Sequence, residues 1–232
     1  MDIREIKEIN VDGGYLIDGF PSMGFSSAIA TESMLHMSQF SLAGIISSDI
    51  FPPLSLIKEG KPNFPTRIFV NEDSKVAIFL SYLTLQESLH REAAKIMLDW
   101  AKKHKIGQII SSVAIKTSDN LSEPIAVGST ESARKKIEAA GFKVLENGIV
   151  PGIPGILLNE GSLSNQDVIV ILVHSDGTGP DFRSSAVLCE YISKIIPSIS
   201  CDLQLLRKEA EKAEVMIKEA HEESKHLDSM YR

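Results

Sequence analysis

Between Gly19 and Gly24 lie four residues, and Ser26 follows two later, so "GFPSMGFS" reproduces the glycine frame of a phosphate-binding loop, GxxxxGK[ST]. Phe25 stands where the lysine belongs. That substitution removes the cation on the β- and γ-phosphates and leaves only backbone N–H groups at the start of a following helix to receive an anion. The stretch also fails as a nucleophile elbow, because G-x-S-x-G around Ser22 needs glycine at position 20 and finds Phe20. A tight strand-to-helix turn, in which glycines admit close packing, is the plainer expectation.

A second group, "VHSDGTGP" (173–180), puts His174, Ser175 and Asp176 at the carboxyl end of an apolar run, where α/β sheets often hold ligands. Ser22, His174 and Asp176 are the best available set for an alternative reading: a small-molecule enzyme acting on nucleosides, nucleotides or acyl substrates. Strand geometry argues against it, since neighbouring side chains face opposite ways and His174 cannot easily pair with Ser175. A strand-end turn, with Asp176 or Asp181 capping the next helix, is simpler. His221 and His226 are five apart, not the i,i+4 of a helical metal pair. His36, His90 and His104 lie on or beside predicted helices and are assigned no site. No catalytic residue, metal or cofactor is assigned.

Composition sets the outer limits. A chain of 232 residues suits one α/β domain with an appendage, and it is long enough for a sizeable core. A net charge of -7 and a pI near 5.4 disfavour phosphate-backbone binding, so nucleic acid is not an expected partner. No apolar run approaches the ~18 residues of a membrane span, and the expected location is cytoplasmic. Cys189 and Cys201 lack CxxC spacing; the expectation is a reducing compartment, with both acting as small apolar residues and forming no disulfide framework.

The elements that must position these groups alternate between strand and helix. "GGYLIDGF" (13–20) reads as a strand and "SSAIATESMLHM" (26–37) as a helix, with Ile29, Met34 and Met37 among its apolar residues. "LAGIISS" (42–48) is the next strand, and "TRIFVNEDSKVAIFLSY" (66–82) an antiparallel hairpin around "NEDS". Thr84 and Glu87 suggest a capping box before a helix with the stripe Leu89, Ala93, Ile96 and Trp100. Strands are expected at 106–115, 142–146 and 167–175, the last so rich in β-branched residues that both its faces must be buried. Ser129 is expected to open a helix that Gly141 closes, and a final core helix spans Pro180 to Ile196. The alternation predicts an α/β fold: a three-layer α/β/α sandwich over 1–200 with a mixed, mainly parallel sheet.

Residues 201–232 read differently. Leu203, Leu206, Ala210, Ala213, Ile217, Ala220, Ser224 and Leu227 follow at alternating steps of three and four, with mostly charged residues between. One amphipathic helix of roughly 25 residues, about 38 Å long, is expected. Its narrow stripe fits either packing on the chain's own core or self-association into a homo-oligomer.

Three segments carry a resemblance: "DGFPSMGFSSAIATESML", "VPGIPGILLNEG" and "GPDFRSSAVLCEYISKII". In order and separation they resemble the landmark segments of the proteasome assembly chaperone family, in its archaeal and bacterial branch. The resemblance implies a fold related to phosphorylase- and hydrolase-like domains, used to hold other proteins rather than to catalyse.

It also implies a role for the last three residues, Met230, Tyr231 and Arg232. Family members, like several proteasome activators, can end in a hydrophobic residue, a tyrosine and any residue, a tail that docks between α-subunits of the 20S proteasome. The order makes physical sense: Met230 and the Tyr231 ring fill an apolar slot, the hydroxyl finds a polar partner, and a terminal carboxylate meets a cation. Four tyrosines and a 43% hydrophobic fraction put chance occurrence below about 1%. The expectation is a non-enzymatic chaperone, adaptor or activator of the 20S α-ring.

Overall fold

The computed structural model describes residues 1–116, 125–175, 177 and 179–206. In chain order these form β1 (Asp2–Glu5), β2 (Tyr15–Gly19), α1 (Ser26–Met37), β3 (Ser41–Ser47), β4 (Leu56–Lys58), β5 (Lys61–Asn63), β6 (Thr66–Asn71) and β7 (Val76–Ser81). Then come α2 (Glu87–Lys103), β8 (Gln108–Ile115), β9 (Ile125–Gly128), α3 (Glu131–Ala139), β10 (Lys143–Val144), α4 (Gly152–Ser164), β11 (Asp167–His174) and α5 (Phe182–Ile195). Nine strands share one sheet in the order β1-β3-β6-β7-β2-β8-β11-β9-β10, and β4 and β5 form a separate hairpin.

The fold is α/β with a mixed sheet, and its parallel part is central. β7, β2, β8 and β11 run parallel to one another, whereas β1, β3 and β6 continue antiparallel on one side and β9 is antiparallel to β11 on the other. Alternation along these strands builds two cores. Ile17, Ile78, Ile110 and Ile171 face a cluster closed by α1, α3 and α5; Leu16, Phe79, Ile109 and Leu172 face one closed by α2 and α4. Strands buried on both faces can be apolar throughout, which is why 167–175 carries no polar alternation.

Local chemistry sets the element ends, in places differently from expectation. In the β6–β7 turn the Asn71 side chain accepts from the Ser74 N–H at 2.9 Å, as an Asx turn should. Gln86, not Thr84, precedes α2, and no side chain caps it. Thr130, not Ser129, caps α3 by accepting from Ala133 N–H at 3.0 Å. Ser129 instead donates to the Gln166 carbonyl at 2.7 Å and accepts from Val168 N–H at 2.8 Å, tying the helix entry to β11. Residues 152–164, between the strands expected at 142–146 and 167–175, are helical. Proline within the first turn keeps a fixed φ and lacks an N–H that would have had no intrahelical partner there.

The N-terminal strand and the β4–β5 hairpin add to the expected elements. β1 is held to α2 through Glu5, whose carboxylate receives Trp100 Nε1–H at 3.0 Å and Lys103 Nζ at 2.7 Å, and pairs with His104 Nε2 at 2.7 Å. Burial works to raise its pKa, but the bonds from Lys103 and His104 outweigh it and hold the carboxyl below its ordinary value.

Cys189 and Cys201 are joined in a disulfide, which corrects their reading as two separate apolar residues. The segment after α5 turns at Pro197 and packs back through Ile199, bringing the two Cα atoms to 6.2 Å, with both sulfurs 3.8 Å from the Ala30 carbonyl oxygen of α1. The cysteine pattern therefore no longer argues for a reducing compartment. Closing a loop between residues 12 apart contributes about 3 kcal/mol by restricting the unfolded chain. Dithiothreitol is expected to lower the melting temperature and to raise the titratable thiols from none to two; two thiols in the untreated native protein would contradict the pairing.

Leu203 and Leu206 pack against the α1 and α5 core. The rest of the predicted amphipathic helix and the tail 230–232 lie outside the described residues. No helix among the described residues is long and apolar enough to cross a membrane.

Candidate functional site

The β2–α1 connection is a tight turn, as its glycines suggest. A 3₁₀ turn at Met23–Phe25 leads into α1, with Gly24 at φ 67° and Phe25 at φ 55°. A bulky residue held in the left-handed region stores strain that its surroundings must offset. They do so by interlocking two strand-end loops: Asp181 N–H donates to the Gly24 carbonyl at 2.7 Å, and a Cβ on Gly24 would lie 2.7 Å from Ser175 Oγ. Gly19 is equally constrained, since a Cβ there would come within 2.8 Å of the Phe79 carbonyl oxygen.

Of the candidate catalytic residues, Ser22 and His174 are described, and no hydrogen bond joins them. Ser22 Oγ lies 3.0 Å from Ser27 Oγ, which lies 3.0 Å from Ser112 Oγ, so Ser22 opens a chain of hydroxyls with no base in it. His174 ends β11, where its backbone carbonyl accepts from Ser184 Oγ. Asp181 caps α5 through its side chain, accepting from Ser184 N–H at 2.8 Å. Asp176 lies outside the described residues, as do His221, His226, Met230, Tyr231 and Arg232.

Asp18 is a buried acid that the motif search misses, although the signal is present: one carboxylate inside the apolar strand "YLIDG". Its side chain is 4% exposed, accepts from Ser111 Oγ at 2.6 Å and from Phe20 N–H at 3.0 Å, and forms no ion pair among the described residues. Burial raises its pKa to about 6, and the two hydrogen bonds only partly oppose the shift. A folded pKa above the unfolded one means that the native state binds the proton more tightly. Asp18's contribution is therefore complete below about pH 4 and is lost as pH rises to about 6. A neutral amide in its place can keep both hydrogen bonds without charge. The stability of Asp18→Asn relative to the natural protein is thus expected to grow by roughly 3 kcal/mol between pH 4 and pH 7 in urea titrations. A difference independent of pH would refute a buried, cation-free carboxylate.

At the opposite, amino end of the central parallel strands, Asp167 receives Ser132 Oγ at 2.8 Å and Lys136 Nζ at 3.0 Å, and Thr130 Oγ1 donates to it as well. Burial alone would raise its pKa, but these donors hold it below the usual value. This cluster anchors α3 to β11. Among the described residues, no three His, Cys, Asp or Glu side chains are placed to hold a metal ion.

A nine-stranded mixed sheet between two helical layers, with its strand-end loops locked together and no catalytic set assembled among the described residues, defines an α/β/α sandwich protein. Its likeness to known proteins is specific. The PAC2 family model matches residues 16–221, and this chain belongs to the PAC2 family. It is similar to an uncharacterised protein of Methanocaldococcus jannaschii, 25% identical over 99% of this chain and 94% of that one. Among solved structures it is similar to Pyrococcus furiosus PbaA, an archaeal homologue of proteasome-assembly chaperone, with 28% identity, a TM-score of 0.84 and coverage of 97% of this chain and 94% of PbaA. Pyrococcus furiosus PbaB, an archaeal proteasome activator, shares the fold at 20% identity and a TM-score of 0.79, covering 95% of this chain and 98% of PbaB.

Proposed function

We propose that this protein is a non-enzymatic proteasome assembly chaperone, adaptor or activator that docks Met230, Tyr231 and Arg232 into pockets of the 20S α-ring. The observation that carries the reading is the hydrophobic-tyrosine-any tripeptide in a chain of the PAC2 family. The similarity to PbaA and the fold shared with PbaB support a proteasome partner. A single tripeptide with one aromatic anchor binds weakly, because ordering a tail costs free energy. Several tails on one homo-oligomer facing one ring of pockets gain about 10²–10⁴-fold in avidity. The apolar stripe from Ala210 to Leu227 supports both self-association and a stalk projecting from the domain, to which Cys201, Leu203 and Leu206 are fixed. The test is capture of 20S particles or free α-subunits by the immobilised full chain, read beside its mass by light scattering. A monomer with no capture would overturn the reading.

A further inference from the structure

A cleft of about 620 Å³ opens at the carboxyl ends of β2 and β8, within the size range of small-ligand sites. The two strands are parallel neighbours whose connections diverge: the chain leaves β2 through α1 for β3 on one side, while β8 continues to β9 on the other. That divergence is what opens a crevice in a doubly covered sheet.

Asp18 forms the floor. A carboxylate offers about four acceptor sites, and here Ser111 and the Phe20 N–H occupy two, both neutral donors. At the rim, His90 Nε2 faces the Leu85 carbonyl at 3.2 Å and so carries the hydrogen. Its Nδ1 keeps a lone pair, 3.8 Å from where a Cβ on Gly152 would stand. Glu87 stands beside it, and no lysine or arginine among the described residues lines the cleft. The first turns of α2, at Glu87, and α4, at Gly152–Gly155, also reach the cleft and are the opposing feature, but Asp18 and Glu87 put two carboxylates there, which disfavours a phosphate. Phe20, Val113 and Ile153 give the wall between floor and rim an apolar face, and Ser22, Ser112 and Asn159 also line the cleft.

Carboxylates at both ends of a passage with one apolar face select a donor-rich cation on a hydrocarbon stem. We infer that this cleft binds an aliphatic cation, a primary amine or guanidinium, whose charged end reaches Asp18 while its stem lies along Phe20, Val113 and Ile153. A charge-assisted bond at a desolvated carboxylate is stronger than one in water. The inference is independent of the proteasome reading, and its test needs no proteasome.

Cadaverine and the peptide acetyl-Gly-Lys-Gly-amide are titrated into the full chain by calorimetry, with 1-hexanol and the norleucine peptide as neutral counterparts. At about pH 7.5 at least one cationic probe is expected to saturate below about 1 mM and to exceed its neutral counterpart about tenfold. Cadaverine alone would identify a free amine as the ligand; the peptide alone would identify a side chain of a polypeptide. Asp18→Asn is expected to cost a further factor of about ten, and the exposed Glu87→Gln a smaller one. Should Asp18→Asn fail to fold, the pH arm decides: between about pH 7.5 and pH 5, protonation of Asp18 should weaken cadaverine at least about fivefold, with Glu87 and His90 the other titratable groups at the cleft. No saturation by about 10 mM, equal binding of the neutral probes, or affinity indifferent to both Asp18→Asn and pH would overturn the inference.

Discussion

Tyr231→Ala is expected to abolish co-sedimentation of this protein with 20S particles while leaving its folded domain intact. A buried aromatic anchor is the kind of residue whose truncation costs about 2–4 kcal/mol in an interface, some 30-fold or more per tail. When several tails share one ring, each bound tail raises the effective concentration of the next, so losses at each compound. Tyr231→Phe separates the ring from the hydroxyl: it should lose only about 1 kcal/mol per tail and leave measurable binding. Appending a single alanine after Arg232 should weaken binding if a carboxylate at that position meets a cation, without changing the melting temperature. Undiminished sedimentation of Tyr231→Ala, with the fold verified by circular dichroism, would remove the tail from the mechanism and leave the family relation alone.

Phe79→Ala carries the largest expected effect on stability. Phe79 is fully buried in β7, and its ring meets Trp100 of α2 edge-on, with centroids 5.2 Å apart at 70°. Its removal leaves a cavity between the sheet and the helical layer in a core that cannot collapse freely, which costs about 3–5 kcal/mol. For a chain of this size that corresponds to a fall in melting temperature of about 10–15 °C. Ile57→Ser, on the β4–β5 hairpin where the side chain is 68% exposed, should change stability by less than about 0.5 kcal/mol. A shift below about 3 °C for Phe79→Ala would mean that α2 is not packed on β7 as described.

Much of the scaffold is legible along the chain. The strands at β2, β3, β8 and β11, the β6–β7 hairpin and helices α1 and α2 each carry enough periodicity to declare themselves within a residue or two. What escapes does so for identifiable reasons. β1 reads "DIRE", an edge strand whose alternating charges face solvent, and only its pairing with β3 some 40 residues on makes it a strand. α4 begins with glycines and a proline that disguise a helix start as a loop. The carboxylate that meets His104 is not its sequence neighbour Asp99 but Glu5, which reaches it across 99 residues.

The sequence by itself determined which way side chains face, because a period of 2 or 3.6 is a local property that survives any arrangement of the elements. It also determined the net charge of -7 and the order of residues in the tail. Only the tertiary structure decided that Cys189 and Cys201 meet, that β2 lies beside β8 with Asp18 at the floor of the crevice between them, and that the loops at Gly24 and Asp181 interlock. Those are facts of neighbourhood. They depend on which strands pair after long crossovers, an outcome fixed by packing the whole core at once rather than by any stretch of chain read alone.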